Sequence, residues 1–404
     1  MSISKRFAEL EHIRSALNEA DADPGRIVME RMLSATEAEI AGRRTILAGT
    51  NNYLGLTFEP GILEAAHQAL CEQGSGTTGS RMANGSFASH VALERSFAEF
   101  YGMPAAMIFS TGYQANLGIL TGLLRPGDKV MIDAHSHASI YDGCRLSGAD
   151  FFPFRHNDPE DLRKRLRRLG DDARGALVVT EGLYSMLGDI APLAELLAVT
   201  EEFGAYLMVD EAHSLGVYGE QGRGVTEAAG ILDRVDFITG TFSKSLGSMG
   251  GYCVSRHEQL NLLRYGSRPY IFTASSSPAN IAAAHWALDH IRSHPELRET
   301  LWSNVARLYG GLKELGCTLG AEPSPVVAVR VGSHDEAARI WNELLAAGVY
   351  VNLVVPPASP DGASLLRCSV SAGHSPEQID TIVTAFGEAI SRTAFAGACC
   401  SGQA

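Results

Sequence analysis

The chain has 404 residues, 45% of them hydrophobic and 20% charged, which is enough to bury a large core in roughly two or three domains. Its formal net charge of −13, without any long basic block, disfavours binding to nucleic acid through phosphate contacts. Seven cysteines without C-x-x-C spacing disfavour a disulfide framework and a metal site and favour a cytoplasmic protein. A charged N-terminus and short apolar runs disfavour a signal segment and a membrane span.

The predicted elements change character twice along the chain. A polar helix ends near Asp23-Pro24-Gly25, and a helix over 61–73 is followed by the glycine-rich loop GSGTTGSRMANGS. After a helix that ends near residue 101, short apolar strands alternate with amphipathic segments as far as about residue 275. The candidate strands are AAMIFS, KVMID, ALVVTE, YLMVD, DFITGT and GYCVS. Further on come the strands VVAVRV, VYVNLV and SLLRCSV and the helices DEAARIWNELLAAG and SPEQIDTIVTAFGEAI.

These patterns predict an α/β protein. Continuous apolar strands separated by helices are typical of a mostly parallel central sheet that helices cover on both faces. The C-terminal pattern indicates a small α+β domain. We therefore expect an N-terminal helix and short strand segment over 1–55, a large α/β domain over 56–290, a small domain over 291–392 and a flexible tail over 393–404.

Three polar segments directly follow predicted strands. Asp210 and His213 follow YLMVD, Lys244 lies in a Ser/Gly loop after DFITGT, and His135 and His137 follow KVMID. The carboxyl ends of parallel strands meet at one sheet edge, so these groups are expected to lie close together. They suit pyridoxal phosphate, because a lysine can form an imine with its aldehyde and a carboxylate can keep its ring nitrogen protonated.

The phosphate of such a cofactor requires N–H and hydroxyl donors. Thr241, Ser243 and the turn Ser110-Thr111-Gly112-Tyr113 ahead of a helix could supply them. Taken singly, each candidate has a commoner explanation, since a loop lysine is usually solvated and a strand-end aspartate usually caps a helix. The conjunction of the strand-Asp-x-x-His string, the Ser-Lys turn and the Ser-Thr-Gly-Tyr turn favours the cofactor site.

Two short strings resemble nucleotide-binding motifs. Gly74, Gly76 and Gly79 have the G-x-G-x-x-G spacing, but they follow a predicted helix rather than a strand, so a dinucleotide site is not expected. Asp210–His213 spells DEAH without any G-x-x-x-x-G-K-[ST] loop that would hold a triphosphate.

Longer strings resemble the α-oxoamine synthases, which are fold-type I pyridoxal-phosphate enzymes. They are GTNNYLG, STGYQANLG, SHASIYDG, EGLYSMLGDIAPL, VDEAHSLGVYGEQGRG, GTFSKSLGSMGG, RPYIFTAS and LLRCSVSAGHS, and the resemblance covers about residues 45 to 390. It implies a homodimer, with active sites at the subunit interface, that condenses an amino acid with an acyl thioester and releases carbon dioxide. GTNNYLG, HASIYDG, FSKSLGSMGG and RPYIFTAS look most like members that join L-serine to a long-chain acyl thioester to give 3-oxosphinganine, with coenzyme A or acyl carrier protein as the carrier.

The resemblance assigns catalytic roles by matching positions. Lys244 resembles the lysine that binds the cofactor aldehyde, and Asp210 resembles the partner of the ring nitrogen. His213, with Ser185 near it, resembles the residue that bonds the phenolic oxygen. His137 resembles the histidine that stacks on the ring and meets the substrate carboxylate.

Further positions match phosphate and substrate contacts. The phosphate contacts match Gly112, Tyr113, Thr241 and Ser243, with Thr273 and Ala274 reaching from the other subunit. Arg367 resembles the arginine that handles the substrate carboxylate, and Asn52 resembles a polar group on the acyl-thioester side. His135 matches no assigned position.

Other functions stay open from the sequence. Within the family, the substrates could be glycine with an acetyl or succinyl thioester, or alanine with a pimeloyl thioester. Outside it, an aminotransferase or an amino-acid lyase shares the fold. A non-catalytic partner subunit is a further alternative, but such relatives lack the lysine that this chain has at position 244.

Overall fold

The structure is a computed structural model that describes residues 3–19, 22–356, 359 and 362–400. The chain divides into two compact units. The first comprises Met1–Tyr53, Met186–Gly188 and Thr300–Ala404, and the second comprises Leu54–Ser185 and Asp189–Glu299. The N-terminal segment, which the sequence prediction set apart, thus shares a unit with the C-terminal region.

The helices and strands are numbered in chain order. The helices are α1 Ile3–Glu19, α2 Pro60–Gln73, α3 Ala88–Tyr101, α4 Gly112–Leu123, α5 Ala138–Ser147, α6 Pro159–Leu169, α7 Leu193–Glu202, α8 Val225–Ala228, α9 Arg268–Phe272, α10 Pro278–Ser293, α11 Glu296–Glu314, α12 His334–Ala346 and α13 Pro376–Cys400. The strands are β1 Arg31–Met32, β2 Glu37–Ile40, β3 Arg43–Leu47, β4 Ala105–Phe109, β5 Lys129–Asp133, β6 Asp150–Phe154, β7 Leu177–Glu181, β8 Tyr206–Asp210, β9 Phe237–Thr241, β10 Gly251–Ser255, β11 Val326–Val331, β12 Val349–Tyr350, β13 Asn352–Val354 and β14 Ser364–Ser369.

The second unit is built on a seven-stranded sheet with the order β4-β10-β9-β8-β7-β5-β6. Strands β5 to β9 run parallel, and β10 pairs antiparallel with both β4 and β9. Every residue of β4, β7, β9 and β10 is buried, because these apolar runs are covered on both faces. The predicted mostly parallel α/β sheet is confirmed, and the parallel strands bring Asp133, Glu181, Asp210 and Thr241 to the same edge.

The core of this unit makes that edge rigid. Val130, Ile132 and Met208 are at most 1% exposed in one apolar cluster that also includes Ile119 of α4 and Ile140 of α5. Full burial of such a side chain contributes roughly 1.5–3 kcal/mol. The helices that follow β4 and β5 are therefore anchored on the sheet.

The first unit contains two smaller sheets. The order of one is β1-β2-β3-β12, and the order of the other is β11-β14-β13. Strand β12 runs parallel to β3, with Val349 opposite Ile46, and this pairing joins the two ends of the chain.

The last helix extends beyond the sequence prediction. Helix α13 reaches Cys400, although the sequence prediction began a flexible tail at residue 393. The difference arises because TAFAGACC contains three alanines, the residue with the highest helix propensity. Residues 401–404 lie outside the described part of the chain. In the part that is described, none of the helices combines the length and apolar character that a membrane span needs.

Candidate active site

A cavity of about 320 Å³ opens at the carboxyl edge of the seven-stranded sheet. It brings together eight of the residues that the sequence predicted, from four separate segments of the chain. They are Gly112, Tyr113, His137, Asp210, His213, Thr241, Ser243 and Lys244. Convergence of an amine, a carboxylate and imidazoles in one cavity is the usual sign of a catalytic site.

A larger cavity, of about 460 Å³, lies at the opposite edge of the sheet. Leu177, Tyr206 and Phe237, which begin β7, β8 and β9, line it together with several leucines. Its lining contains no lysine among the described residues and is mainly apolar. We therefore assign the chemistry to the smaller cavity.

Asp210 is held firmly at the end of β8. Its side chain is about 5% exposed, its Oδ2 accepts from Nδ2 of Asn116 at 2.7 Å, and its Oδ1 accepts from the N–H of Ala212 at 2.8 Å. Asn116 also donates to Oγ of Ser139 and accepts from Oγ1 of Thr239. The carboxylate is therefore oriented before any ligand binds. The sequence prediction missed Asn116, although it lies one helical turn after Gly112, a predicted phosphate contact.

His137 caps the N-terminus of α5. Its Nδ1 accepts from the N–H of Ser139 at 3.2 Å, which places the ring proton of a neutral imidazole on Nε2. Partial desolvation lowers the pKa of His137, and the Lys244 charge acts in the same direction while Asp210 opposes it. At neutral pH the ring is therefore mainly uncharged, which suits stacking against an aromatic ligand.

Glu181 is a second residue that the sequence prediction missed. It lies at the end of β7 directly opposite Asp210, is about 4% exposed, and its Oε1 accepts from the backbone N–H of His137 at 2.5 Å. Burial and the neighbouring Asp210 raise the pKa of Glu181 well above its ordinary range. The sequence could have indicated Glu181, because it is the last residue of the predicted strand ALVVTE and strand ends in such sheets border the site.

The N-terminus of α4 forms an anion cradle at one side of the cavity. Thr111 caps the helix by accepting from the N–H of Gln114 at 3.1 Å, which leaves the first N–H groups of the helix available. Thr241 Oγ1 and Ser243 Oγ lie 2.9 Å apart beside it. A Cβ on Gly112 would lie only 2.7 Å from Cβ of Thr241, so the close approach requires glycine. Such a terminus binds phosphate.

Three predicted cofactor contacts do not line this cavity in the described chain. Ser185 is half-buried after β7. The backbone oxygen of Ala274 accepts from Oγ of Ser110 at 2.5 Å, and Thr273 Oγ1 accepts from Nε2 of Gln114 at 3.4 Å. Thr273 and Ala274 therefore lie beside the start of α4 in their own subunit.

The two predicted substrate contacts belong to the other compact unit. Arg367 donates to Oδ1 of Asn51 at 3.1 Å and to Oγ of Ser369 at 2.9 Å. The backbone oxygen of Asn52 accepts from Oγ of Ser371 at 2.6 Å. Both side chains are buried and fixed within that unit, and their contacts to substrate stay predictions.

Over residues 3–19, 22–356, 359 and 362–400, no group of three or more His, Cys, Asp or Glu side chains is arranged to hold an ion.

Comparison with known proteins identifies the family. The family model described as aminotransferase class I and II matches residues 44–386. A serine palmitoyltransferase of Caulobacter vibrioides is 54% identical over 92% of this chain and 92% of its own length, and that of Sphingomonas paucimobilis is 50% identical over 95% and 92%. A high-resolution structure of a serine palmitoyltransferase with its PLP internal aldimine has a TM-score of 0.95 at 48% identity, covering 98% of this chain and all of that one.

The chain belongs to the aminotransferase class I and II family. Within that family it belongs to the α-oxoamine synthases, as the sequence strings predicted, and its relatives at 50–54% identity are serine palmitoyltransferases.

Proposed function

We propose that this chain is a pyridoxal-phosphate-dependent acyltransferase. It condenses L-serine with a long-chain acyl thioester and forms 3-oxosphinganine, the first step of sphingolipid synthesis. The observation that carries the proposal is the presence of Lys244, Asp210, His137 and the α4 N-terminus around one cavity. The similarity to serine palmitoyltransferases over nearly the whole chain supports the choice of substrates.

The residues around the cavity fit pyridoxal phosphate. When bound, this cofactor supplies an aldehyde that joins an amine and a ring that accepts the electron pair released at the α-carbon of the amino acid. Lys244 would hold the aldehyde, and the fixed carboxylate of Asp210 would keep the ring nitrogen protonated. The α4 N-terminus with Thr241 and Ser243 would hold the phosphate.

The remaining side chains position serine and move its proton. The neutral ring of His137 would face the cofactor ring and orient the serine carboxylate, and the Lys244 amine would take the proton from the serine α-carbon. Positioned proton transfer of this kind is worth roughly 10²–10⁴-fold in rate. His213 and Ser185 would serve the phenolic oxygen of the cofactor, Arg367 the substrate carboxylate and Asn52 the acyl thioester.

The proposed reaction balances. The Cα–H bond of serine breaks, and Cα forms a bond to the carbonyl carbon of the thioester. The C–S bond breaks, and the thiolate leaves with a proton. The bond from Cα to the serine carboxylate then breaks to release carbon dioxide, and Cα takes up a proton. Of the two protons that the thiolate and Cα take up, one is the proton removed from serine and the other comes from solvent.

We further propose a homodimer in which Thr273 and Ala274 reach the phosphate of the partner's cofactor. Tyr265 and Phe272, which precede them, are 74% and 71% exposed, and such large apolar side chains support burial against a second copy. The acyl donor is carried on coenzyme A or acyl carrier protein. The protein would work in the cytoplasm, with transient contact at the inner membrane face.

The test is an amino-acid screen with palmitoyl thioester that follows thiol release and identifies the product by mass. We expect turnover with serine, and none with glycine, alanine or no amino acid. Release of thiol only with alanine or glycine would contradict the choice of serine, and transamination without thiol release would contradict the reaction class.

Lys244→Ala tests the central residue. We expect it to abolish turnover and the covalent attachment that borohydride traps in the wild-type protein. Lys129→Ala is the control, because Lys129 pairs with Asp150 at 2.7 Å away from the cavity and should leave both measurements unchanged. Full activity in Lys244→Ala would refute the assigned role.

A further inference from the structure

Three residues outside the cavity form a polar clamp across neighbouring strand ends. Asp133 ends β5, His156 follows β6, and Asp189 lies in the segment after β7, and these three strands are adjacent in the sheet. Nδ1 of His156 lies 2.8 Å from Oδ1 of Asp133, and its Nε2 lies 2.5 Å from Oδ2 of Asp189. We call these three residues the His156 clamp.

The clamp requires a positively charged ring. Carboxylates only accept hydrogen bonds, so an imidazole that bonds one at each nitrogen must carry both protons. Burial lowers the pKa of His156, but the bonds and charges of Asp133 and Asp189 outweigh it and raise the pKa to about 9. Two further rings face His156. The ring of His135 stacks on it with the ring centroids 3.9 Å apart, and the ring of Tyr184 meets it edge-on with the centroids 4.5 Å apart.

Asn157 supplies two further donors to the clamp, whereas Oδ1 of Asp189 is buried without a hydrogen-bond partner among the residues that the structure describes. Asn157 donates its backbone N–H to Oδ2 of Asp133 at 2.9 Å and its side-chain amide to Oδ2 of Asp189 at 2.9 Å. The side chains of His156 and Asp189 are 17% and 21% exposed, and that of Asp133 is fully buried. Solvent therefore reaches these bonds poorly, and they keep most of their strength.

Asp133 and Asp189 each bond a residue that lies close in sequence to a residue proposed for the site. Asp133 accepts the N–H of His135 at 2.8 Å, and two residues later the N–H of His137 bonds Glu181. The backbone oxygen of Asp189 accepts from the N–H of Tyr184, the neighbour of Ser185, at 2.9 Å. None of the clamp residues lines the cavity, so they can act only through these neighbours.

We propose that His156 is a positioning residue, whose ring clamps Asp133 to Asp189 and thereby fixes the segments that carry His137 and Ser185. The roles of those two residues rest on the proposed function. The contribution of the clamp to stability is complete below the ordinary histidine pKa of 6.5 and is lost as the pH rises through about 9.

The first measurement is thermal unfolding of the protein over that pH range, which does not depend on any substrate. We expect the melting temperature of the wild-type protein to fall as the pH rises from 6.5 through about 9. His156→Gln should not show this pH-dependent fall. Asp189→Asn, the milder variant, removes one carboxylate and should move the decline to lower pH. His257→Gln is the control, because His257 pairs with Asp236 far from this edge and should behave as wild type.

The second measurement is the pH profile of kcat for serine-dependent thiol release. We expect His156→Gln to lose roughly 10- to 100-fold in kcat, with little change in the KM for the thioester, because small misplacements of reacting groups have effects of this size. Asp189→Asn should move the alkaline limb to lower pH, whereas a merely structural role would leave the limb unmoved.

The two measurements separate the possible failures. If the wild-type protein releases no thiol, the proposed function fails, and the clamp is then tested by cofactor affinity across the same pH range. Wild-type kcat and cofactor affinity in His156→Gln, or an alkaline limb that Asp189→Asn leaves in place, would overturn the positioning role.

Discussion

Asp210 is held in place by one amide side chain that joins four elements. Asn116 on α4 bonds Ser139 on α5, Asp210 on β8 and Thr239 on β9. A hydrogen bond to a charged group contributes about 1.5–3 kcal/mol. The orientation of the proposed partner of the ring nitrogen therefore depends on a residue that does not itself react.

Asn116→Leu removes these bonds while nearly keeping the side-chain volume. We expect cofactor affinity, measured by absorbance titration, to fall roughly 10- to 100-fold, since each 1.4 kcal/mol is about tenfold. Asn304→Leu is the control, because Asn304 is also buried and donates to the backbone oxygens of Ser371 and His374 in the other unit. It should lower stability and spare cofactor affinity. Unchanged affinity in Asn116→Leu would mean that Asp210 is oriented by other contacts.

The residues that could be predicted from the sequence differ from the missed ones in where they lie. Asp210, His137 and Lys244 follow apolar strands, and topology alone gathers strand ends at one edge. Asn116 lies inside a helix, where a polar residue most often faces solvent, and nothing in its spacing signals a buried network. His156 was missed because it follows β6, a strand that the sequence prediction did not identify.

At the scale of elements, α4 links the core to the anion cradle. Its first residue approaches β9 so closely that only glycine fits, and its later residues pack into the apolar cluster. A side chain added at Gly112 should therefore displace the backbone at the start of α4 and weaken phosphate binding.

Gly112→Ala adds a Cβ that would meet Thr241 at 2.7 Å. Overpacking of this kind costs about 1–3 kcal/mol, so we expect weaker binding of pyridoxal phosphate and little change for pyridoxal, which lacks the phosphate. Gly310→Ala in α11 is the matched control, since its added Cβ meets nothing within 4 Å and should stabilise the helix by roughly 0.8–1 kcal/mol. Equal losses for both ligands in Gly112→Ala would argue against a phosphate cradle.

Strand positions could be predicted well, but strand partners could not. KVMID, YLMVD and GYCVS coincide with β5, β8 and β10. Strand β6 was missed because DFFPF is a partly exposed edge strand with a proline, which breaks the apolar pattern. The pairing of β12 with β3 joins segments from opposite ends of the chain, and periodicity carries no information about such long-range partners.

At the scale of the whole molecule, several large apolar side chains are exposed. Phe272 and Tyr265 are among the most exposed large side chains of the described chain, and Met249, which lines the cavity, is also more than half exposed. Exposed apolar surface does not stabilise a monomer, whereas a second copy of the chain would bury it. We therefore expect cofactor binding to depend on dimer formation.

Phe272→Asp tests this dependence by placing a charge where an interface is proposed. We expect light scattering to show the wild-type protein as a dimer and Phe272→Asp as a largely monomeric protein, because an unpaired charge in an apolar interface carries a large desolvation penalty. Cofactor affinity should fall with it, since Thr273 and Ala274 would no longer reach the partner's phosphate. Leu315→Asp is the control, because Leu315 is also exposed but lies in the other unit, and it should stay dimeric. A wild-type monomer with full activity on dilution would contradict the shared site, because each chain would then hold a complete cofactor cradle by itself.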